Sequence, residues 1–128
     1  MRKPNRVFVV DDEKLAREGI SLALRKDYRV EAFSSAEDAI ESMPSSPPDM
    51  VLLDVGLPGM TGIQALDKIK QIHPGVIIIM ITAFEDVNTV AAAMKLGAHD
   101  YIVKPLQINA LLATMRNAID AVSKHKEA

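Results

Sequence analysis

Five short apolar runs alternate with five longer stretches of helical periodicity, and this alternation constrains the chain more than any other feature. The runs are Val7–Val10, Tyr28–Ala32, Met50–Leu53, Val76–Ile81 and Tyr101–Val103. Strands separated by helices predict crossover units and a parallel sheet. The runs at Val7, Met50 and Val76 are continuously apolar, as strands must be when helices cover both faces. The run YRVEA alternates, with Arg29 and Glu31 set between Tyr28, Val30 and Ala32, which fits a sheet edge. The run YIV is short and suits the other edge. Strands one, three and four therefore belong inside and strands two and five outside. The order 2-1-3-4-5 satisfies this, giving an α/β, doubly wound, five-stranded parallel sheet with five helices.

The helical stretches carry their own punctuation. Leu111, Leu112, Met115, Ile119 and Val122 recur at helical spacing. Ser35 is placed to cap the second helix, with Asp38 three residues on. Gly97 suits a left-handed cap after Met94-Lys95-Leu96, and Pro47-Pro48 lies in the connection before the third strand. Gly59 and Gly62 read as backbone devices for the turn before the third helix. The seven Met residues are expected mostly in the core. A length of 128 residues supports one compact domain with one core, so residues 1–128 are expected to form a single domain.

Composition then removes several function classes. The chain has no Cys, which excludes disulfides and thiolate metal sites. The opening MRKPNR is basic, but the apolar stretch Val7–Val10 is broken at once by Asp11, Asp12 and Glu13. A signal peptide needs a longer apolar stretch, so a mature, cytoplasmic start is expected. The longest apolar run, Val76–Ile81, is far too short to cross a bilayer. The formal net charge is -2 and the basic residues are scattered, so no direct contact with nucleic acid is expected.

In open α/β sheets, ligands bind beyond the carboxyl ends of the strands, where the strand order reverses. The first strand is followed there by Asp11 and Asp12, the third by Asp54, the fourth by Thr82 and the fifth by Lys104. The reversal lies between strands one and three, so the three carboxylates should converge. At about 4 Å and an effective dielectric of about 20, each pair of like charges costs roughly 4 kcal/mol. Lys104 can offset part of this. A divalent cation offsets more, and an all-oxygen site with few protein ligands suits Mg²⁺. Such a cation would also orient a phosphoryl group for in-line transfer to a carboxylate. Taken singly, each residue has a plainer reading: Asp11 or Asp12 as a helix cap, Asp54 as a turn residue before Pro-Gly, Thr82 as a strand end, Lys104 as a surface lysine before a proline. The set, delivered by four strand ends, points to phosphoryl chemistry.

The segments VFVVDDE, DMVLLDVGLPGMTG, VIIIMITAF and GAHDYIVKP give the chain its likeness. It resembles the receiver domain of two-component response regulators along essentially its whole length. The stretch EDVNTVAAAMKLGAHDYIVKP is most similar to receivers of nitrogen-regulatory-type, enhancer-binding transcription activators. The resemblance implies a flavodoxin-like fold and a phosphoacceptor at Asp54, supplied by a sensor histidine kinase. It implies Mg²⁺ held directly by Asp12, by Asp11 largely through water, by Asp54, and by the backbone carbonyl of Gly56. Thr82 and Lys104 would bind phosphoryl oxygens, Tyr101 would be the aromatic switch residue, and the Lys104–Pro105 peptide would be cis. Gly56 and Phe84 occupy positions that tune phosphoaspartate lifetime in this family.

Phosphorylation would draw Thr82 toward the new oxygens, let Tyr101 turn inward, and reshape a surface made by the fourth helix, fifth strand and fifth helix. On the fourth helix Val90 and Met94 fit one face and Ala92 and Leu96 another, the second pair being a candidate partner surface. The implied partners are the kinase, an output domain or downstream protein, and a second copy of the chain. The expected role is transcription regulation, with a stand-alone phosphorelay protein as the alternative. No turnover of a free substrate is expected beyond the domain's own phosphorylation and dephosphorylation. An aspartate-nucleophile phosphatase is a remoter reading, and neither a P-loop nor a dinucleotide fingerprint is present. His73, His99 and His125 show no metal spacing.

Overall fold

The computed structural model describes residues 5–83 and 87–127, with side chains as far as Val122. The elements run β1 (Arg6–Val10), α1 (Lys14–Leu24), β2 (Arg29–Phe33), α2 (Ala36–Ser42), β3 (Met50–Asp54), α3 (Gly62–Ile72), β4 (Ile77–Thr82), α4 (Val87–Lys95), β5 (Asp100–Val103) and α5 (Ile108–Glu127). The strands form one five-stranded sheet in the order β2-β1-β3-β4-β5, and every neighbouring pair is parallel. This is the doubly wound, flavodoxin-like arrangement expected from the alternation.

The continuous apolar runs are explained by the period of two along a strand. Phe8, Val10, Val51, Leu53, Ile78 and Met80 face α2, α3 and Ala93 of α4. Val7, Val9, Met50, Leu52, Ile77, Ile79 and Ile81 face α1 and α5, where Leu24, Leu111, Met115 and Ala118 meet them. Both sides are apolar, so the interior positions of β1, β3 and β4 are all apolar and polar residues stand only at the strand ends. Each fully buried Leu or Ile contributes roughly 1.5–3 kcal/mol relative to an exposed one. Met43, Met50, Met80 and Met115 lie in this core, whereas Met94 is exposed.

Two strand boundaries move inward by one residue, for a visible reason. The Tyr28 amide still donates to the Leu24 carbonyl (3.0 Å), closing α1, and the ladder starts with Arg29 donating to Asn5 (2.9 Å). Likewise the Val76 amide closes a turn on His73, and Ile77 donates to Asp49 to begin β4. The alternation expected in β2 holds at Tyr28 and Val30, which pack on the α1 side. It fails at Ala32, which is exposed, while Phe33 turns to the other side and meets Phe8 with ring centroids 4.7 Å apart.

The caps are local and specific. Ser35 Oγ accepts from the Asp38 amide (3.1 Å). Thr61 and Gln64 form a reciprocal capping box at α3, each side chain accepting from the other's amide. After α4, Gly97 has φ 108°, its amide donates to Met94 and that of Ala98 to Ala93, the Schellman pattern.

Candidate functional site

The parallel register carries four strand ends to one edge. Asp54 is the last residue of β3 and Thr82 the last of β4. Asp11 follows β1 directly, and Lys104 follows β5, its amide donating to the Thr82 carbonyl (2.7 Å). Asp11, Asp54 and Thr82 are buried, Asp12 is exposed, and Lys104 is half-buried. One carboxylate oxygen from each of Asp11, Asp12 and Asp54 lies within 4.8 Å of the other two. The expected convergence is therefore present.

Lys104 bridges two of the three acids. Its Nζ donates to Asp54 Oδ2 at 3.2 Å and to Asp11 Oδ2 at 3.3 Å. The other oxygen of each acid accepts a backbone amide, Gly56 on Asp54 Oδ1 (3.0 Å) and Glu13 on Asp11 Oδ1 (2.9 Å). These contacts fix both carboxylates in rotation. Burial pushes the Asp11 carboxyl above its ordinary range, and the charge of Asp54 adds to this, against the opposing pull of the Glu13 amide and Lys104. For Lys104 burial acts downward, but the hydrogen bond and charge of Asp54, then those of Asp11, carry its pKa above the ordinary lysine value.

The backbone around these groups is tightly built. Gly62 starts α3 against the end of β3. A Cβ there would lie 2.5 Å from the Asp54 carbonyl oxygen and 2.6 Å from Val55 Cα, so only glycine fits. Gly59, in the same connection, has φ 72°. On the β1 side, the Arg17 guanidinium donates to the Asp11 carbonyl at 2.9 Å. Neither that contact nor the Thr61–Gln64 box was anticipated from the sequence. The box had a readable signal in its spacing, whereas Arg17 had none.

The remaining expected residues are more dispersed. Gly56 sits exposed beside Asp54. Tyr101 is on β5, is 36% exposed, and lines a hollow of about 220 Å³ with Val87, Val90 and Ala91. The Lys104–Pro105 peptide is cis. Phe84 and the His125 side chain lie outside the described residues. His73 caps α3 and His99 is exposed, both away from the carboxylates in the chain's layout at the opposite strand ends. On α4 only Ala93 is buried, and both Met94 and Leu96 are exposed. Among the described residues no helix is long and apolar enough to cross a membrane.

An all-oxygen cluster of this kind fits a hard divalent cation better than a soft one, and the bridging lysine leaves a net negative charge to receive it.

Comparison with known proteins agrees with this geometry. The sequence profile of the response regulator receiver domain matches residues 7–116. The luminescence regulatory protein LuxO of Vibrio campbellii is 41% identical over 92 residues, covering 72% of this chain and 20% of LuxO. The DNA-binding transcriptional regulator NtrC of Escherichia coli K12 is 33% identical over 122 residues, covering 94% of this chain and 26% of NtrC. The chain thus spans a fifth to a quarter of the length of these relatives. Among solved structures, a CheY-like receiver domain protein from Methanospirillum hungatei superposes with a TM-score of 0.91 at 26% identity, covering 96% of this chain and 99% of that one. Fold and profile agree, and the chain belongs to the response regulator receiver domain family.

Proposed function

We propose that Asp54 accepts a phosphoryl group from a sensor histidine kinase in a reaction that requires Mg²⁺. The observation that carries this reading is the convergence of three carboxylates within 4.8 Å, two of them bridged by Lys104. Asp11, Asp12, Asp54 and the backbone carbonyl of Gly56 would hold the cation. When bound, it supplies positive charge that screens the carboxylates and the phosphoryl oxygens. A carboxylate oxygen of Asp54 forms the new bond to phosphorus as the donor's P–N bond breaks, and the electron pair leaves with the imidazole. Lys104 stands ready to move from carboxylate to phosphoryl oxygen. Thr82, buried at the neighbouring strand end, offers a hydroxyl to another.

The added charge, about -1.5 to -2 at neutral pH, favours whichever arrangement of Thr82 and Tyr101 binds it better. Tyr101 then leaves its exposed position, and the surface of α4, β5 and α5 changes for an output domain, a downstream protein or a second copy of the chain. Residues 1–128 act as one receiver unit in the cytoplasm, joined to transcription regulation as in NtrC; a stand-alone phosphorelay protein is the alternative.

Incubation with a small phosphodonor and Mg²⁺, followed by intact-mass measurement, tests the assignment. The wild-type chain should gain one phosphoryl group, and Asp54→Asn should gain none. Chelating the Mg²⁺ should also stop uptake. Undiminished labelling of Asp54→Asn, or labelling without metal, defeats the proposal. Sustained turnover of a simple phosphoester would favour a phosphatase instead.

A further inference from the structure

We infer that Glu37, on α2, is a positioning residue for the loop that carries Gly56. This rests on the proposed cation site and extends it to a residue outside the cluster. The β3–α3 connection, residues 55–61, leaves Asp54 and returns to it: the Val55 amide donates to Ile81, and Gly62 donates back to the Val55 carbonyl. Between these points Leu57 is buried, and the Glu37 side chain reaches across to this connection from α2. Its Oε2 accepts from the Met60 amide at 3.2 Å, across 23 residues of chain.

Gly59 is shaped for this contact. Its φ is 72°, and a Cβ there would stand 3.0 Å from Glu37 Oε2. Glycine thus provides both the turn and the room for the carboxylate. An acid in the first turn of a helix is favoured by the helix dipole alone, but Asp38 already meets that preference. The dipole does not account for a carboxylate that leaves its own helix to hold a distant amide.

The consequence runs along the loop. Held at Met60 and at Leu57, the connection presents Gly56, whose amide orients Asp54 Oδ1 and whose carbonyl is a proposed cation ligand. Loosening the latch widens the range of positions open to Gly56, so the cation must order the loop as it binds.

Glu37→Ala and Glu37→Gln separate the latch from its charge, because the glutamine carbonyl can still accept from Met60. Isothermal titration with Mg²⁺ gives affinity, and amide exchange by NMR reports on Met60 and Gly56. In Glu37→Ala both amides should exchange faster and Mg²⁺ affinity should fall roughly two- to fivefold, the worth of one partly exposed hydrogen bond. Glu37→Gln should stay within about twofold of wild type. Wild-type affinity in Glu37→Ala overturns the inference, as does an equal loss in both variants. A wild-type chain that takes up no Mg²⁺ overturns the cation site itself, and that failure is visible before either variant is measured.

Discussion

Lys70 and Lys104 are both half-buried, one near the amino end of the sheet and the other at its carboxyl end, and they are held in opposite ways. Lys70 donates to two neutral carbonyls, Pro74 (3.0 Å) and Val76 (2.8 Å), and burial lowers its pKa. Lys104 donates to two carboxylates, which overcome its burial and raise its pKa. The surroundings differ to match. At the amino end Arg6 meets Glu31 (2.8 Å) and Ser46 (3.1 Å), and its amide meets Asp49 (2.8 Å), so charges are paired locally. At the carboxyl end three carboxylates converge, the Lys104 ammonium bridges two of them, and Arg17 is occupied by a backbone carbonyl. One end is assembled for stability. The other holds unneutralised charge that stability alone would not select, and that imbalance is what a cation and a phosphoryl group can use.

The signs of the pH dependence follow. A lysine whose folded pKa is lowered costs stability while charged, and stability rises with pH from that lowered value up to the ordinary 10.5. A lysine whose folded pKa is raised contributes stability in full below 10.5 and loses it as pH climbs through the raised value. The two ends therefore respond to alkali in opposite directions over adjoining ranges.

The largest expected contrast between the ends is steric. Gly62 has no room for a methyl group, whereas Gly75, in the α3–β4 turn, has nothing within 4 Å of the same position and no positive φ. Gly62→Ala should lose about 3 kcal/mol through overpacking against the Asp54 backbone. Gly75→Ala should be neutral or gain up to about 1 kcal/mol by restricting the unfolded chain. Urea unfolding of both variants checks this. Equal effects would mean that the end of β3 yields more readily than its contacts suggest.

The next contrast is electrostatic. Because the folded pKa of Asp11 lies above the ordinary 3.8, its stabilising contribution is complete below 3.8 and is lost as pH rises through the folded value. At neutral pH, ionised Asp11 is thus a cost to the metal-free chain. Asp11→Asn should stabilise that form by about 1 kcal/mol, a melting shift on the order of 4 °C, while weakening Mg²⁺ binding. Thermal melts with and without Mg²⁺ check both halves, and added Mg²⁺ should raise the wild-type midpoint more than the variant's. A variant less stable than wild type in the absence of metal would contradict the account of the carboxyl end.

The carboxyl end was also the more legible end in the sequence. Asp11, Asp54, Thr82 and Lys104 stand where apolar runs stop, and in a parallel sheet all such stops lie on one edge. Knowing the strand order was enough to bring them together. Contacts that depend on the reach of one side chain left no comparable trace. Nothing in local spacing joins Glu37 to Met60, or Arg17 to the Asp11 carbonyl. The boundaries at Tyr28 and Val76 were misplaced because hydropathy cannot tell a strand's first amide from the last amide of the preceding turn. In β2, Ala32 was assigned to the buried side by parity alone, but an edge strand has little above it to do the burying.

The smallest effect is expected at the paired end. Arg6 and Glu31 form an ion pair with side chains 28% and 38% exposed, so solvent screens much of their attraction. Arg6 also donates to Ser46, which would partly hold the guanidinium if Glu31 were lost. A double-mutant cycle of Arg6→Ala and Glu31→Ala should therefore give a coupling of about 0.5 kcal/mol, falling further in high salt. A coupling of about 2 kcal/mol or more, insensitive to salt, would place a buried, specific ion pair at the amino end. The difference between the two ends would then no longer be one of paired surface charge against concentrated charge.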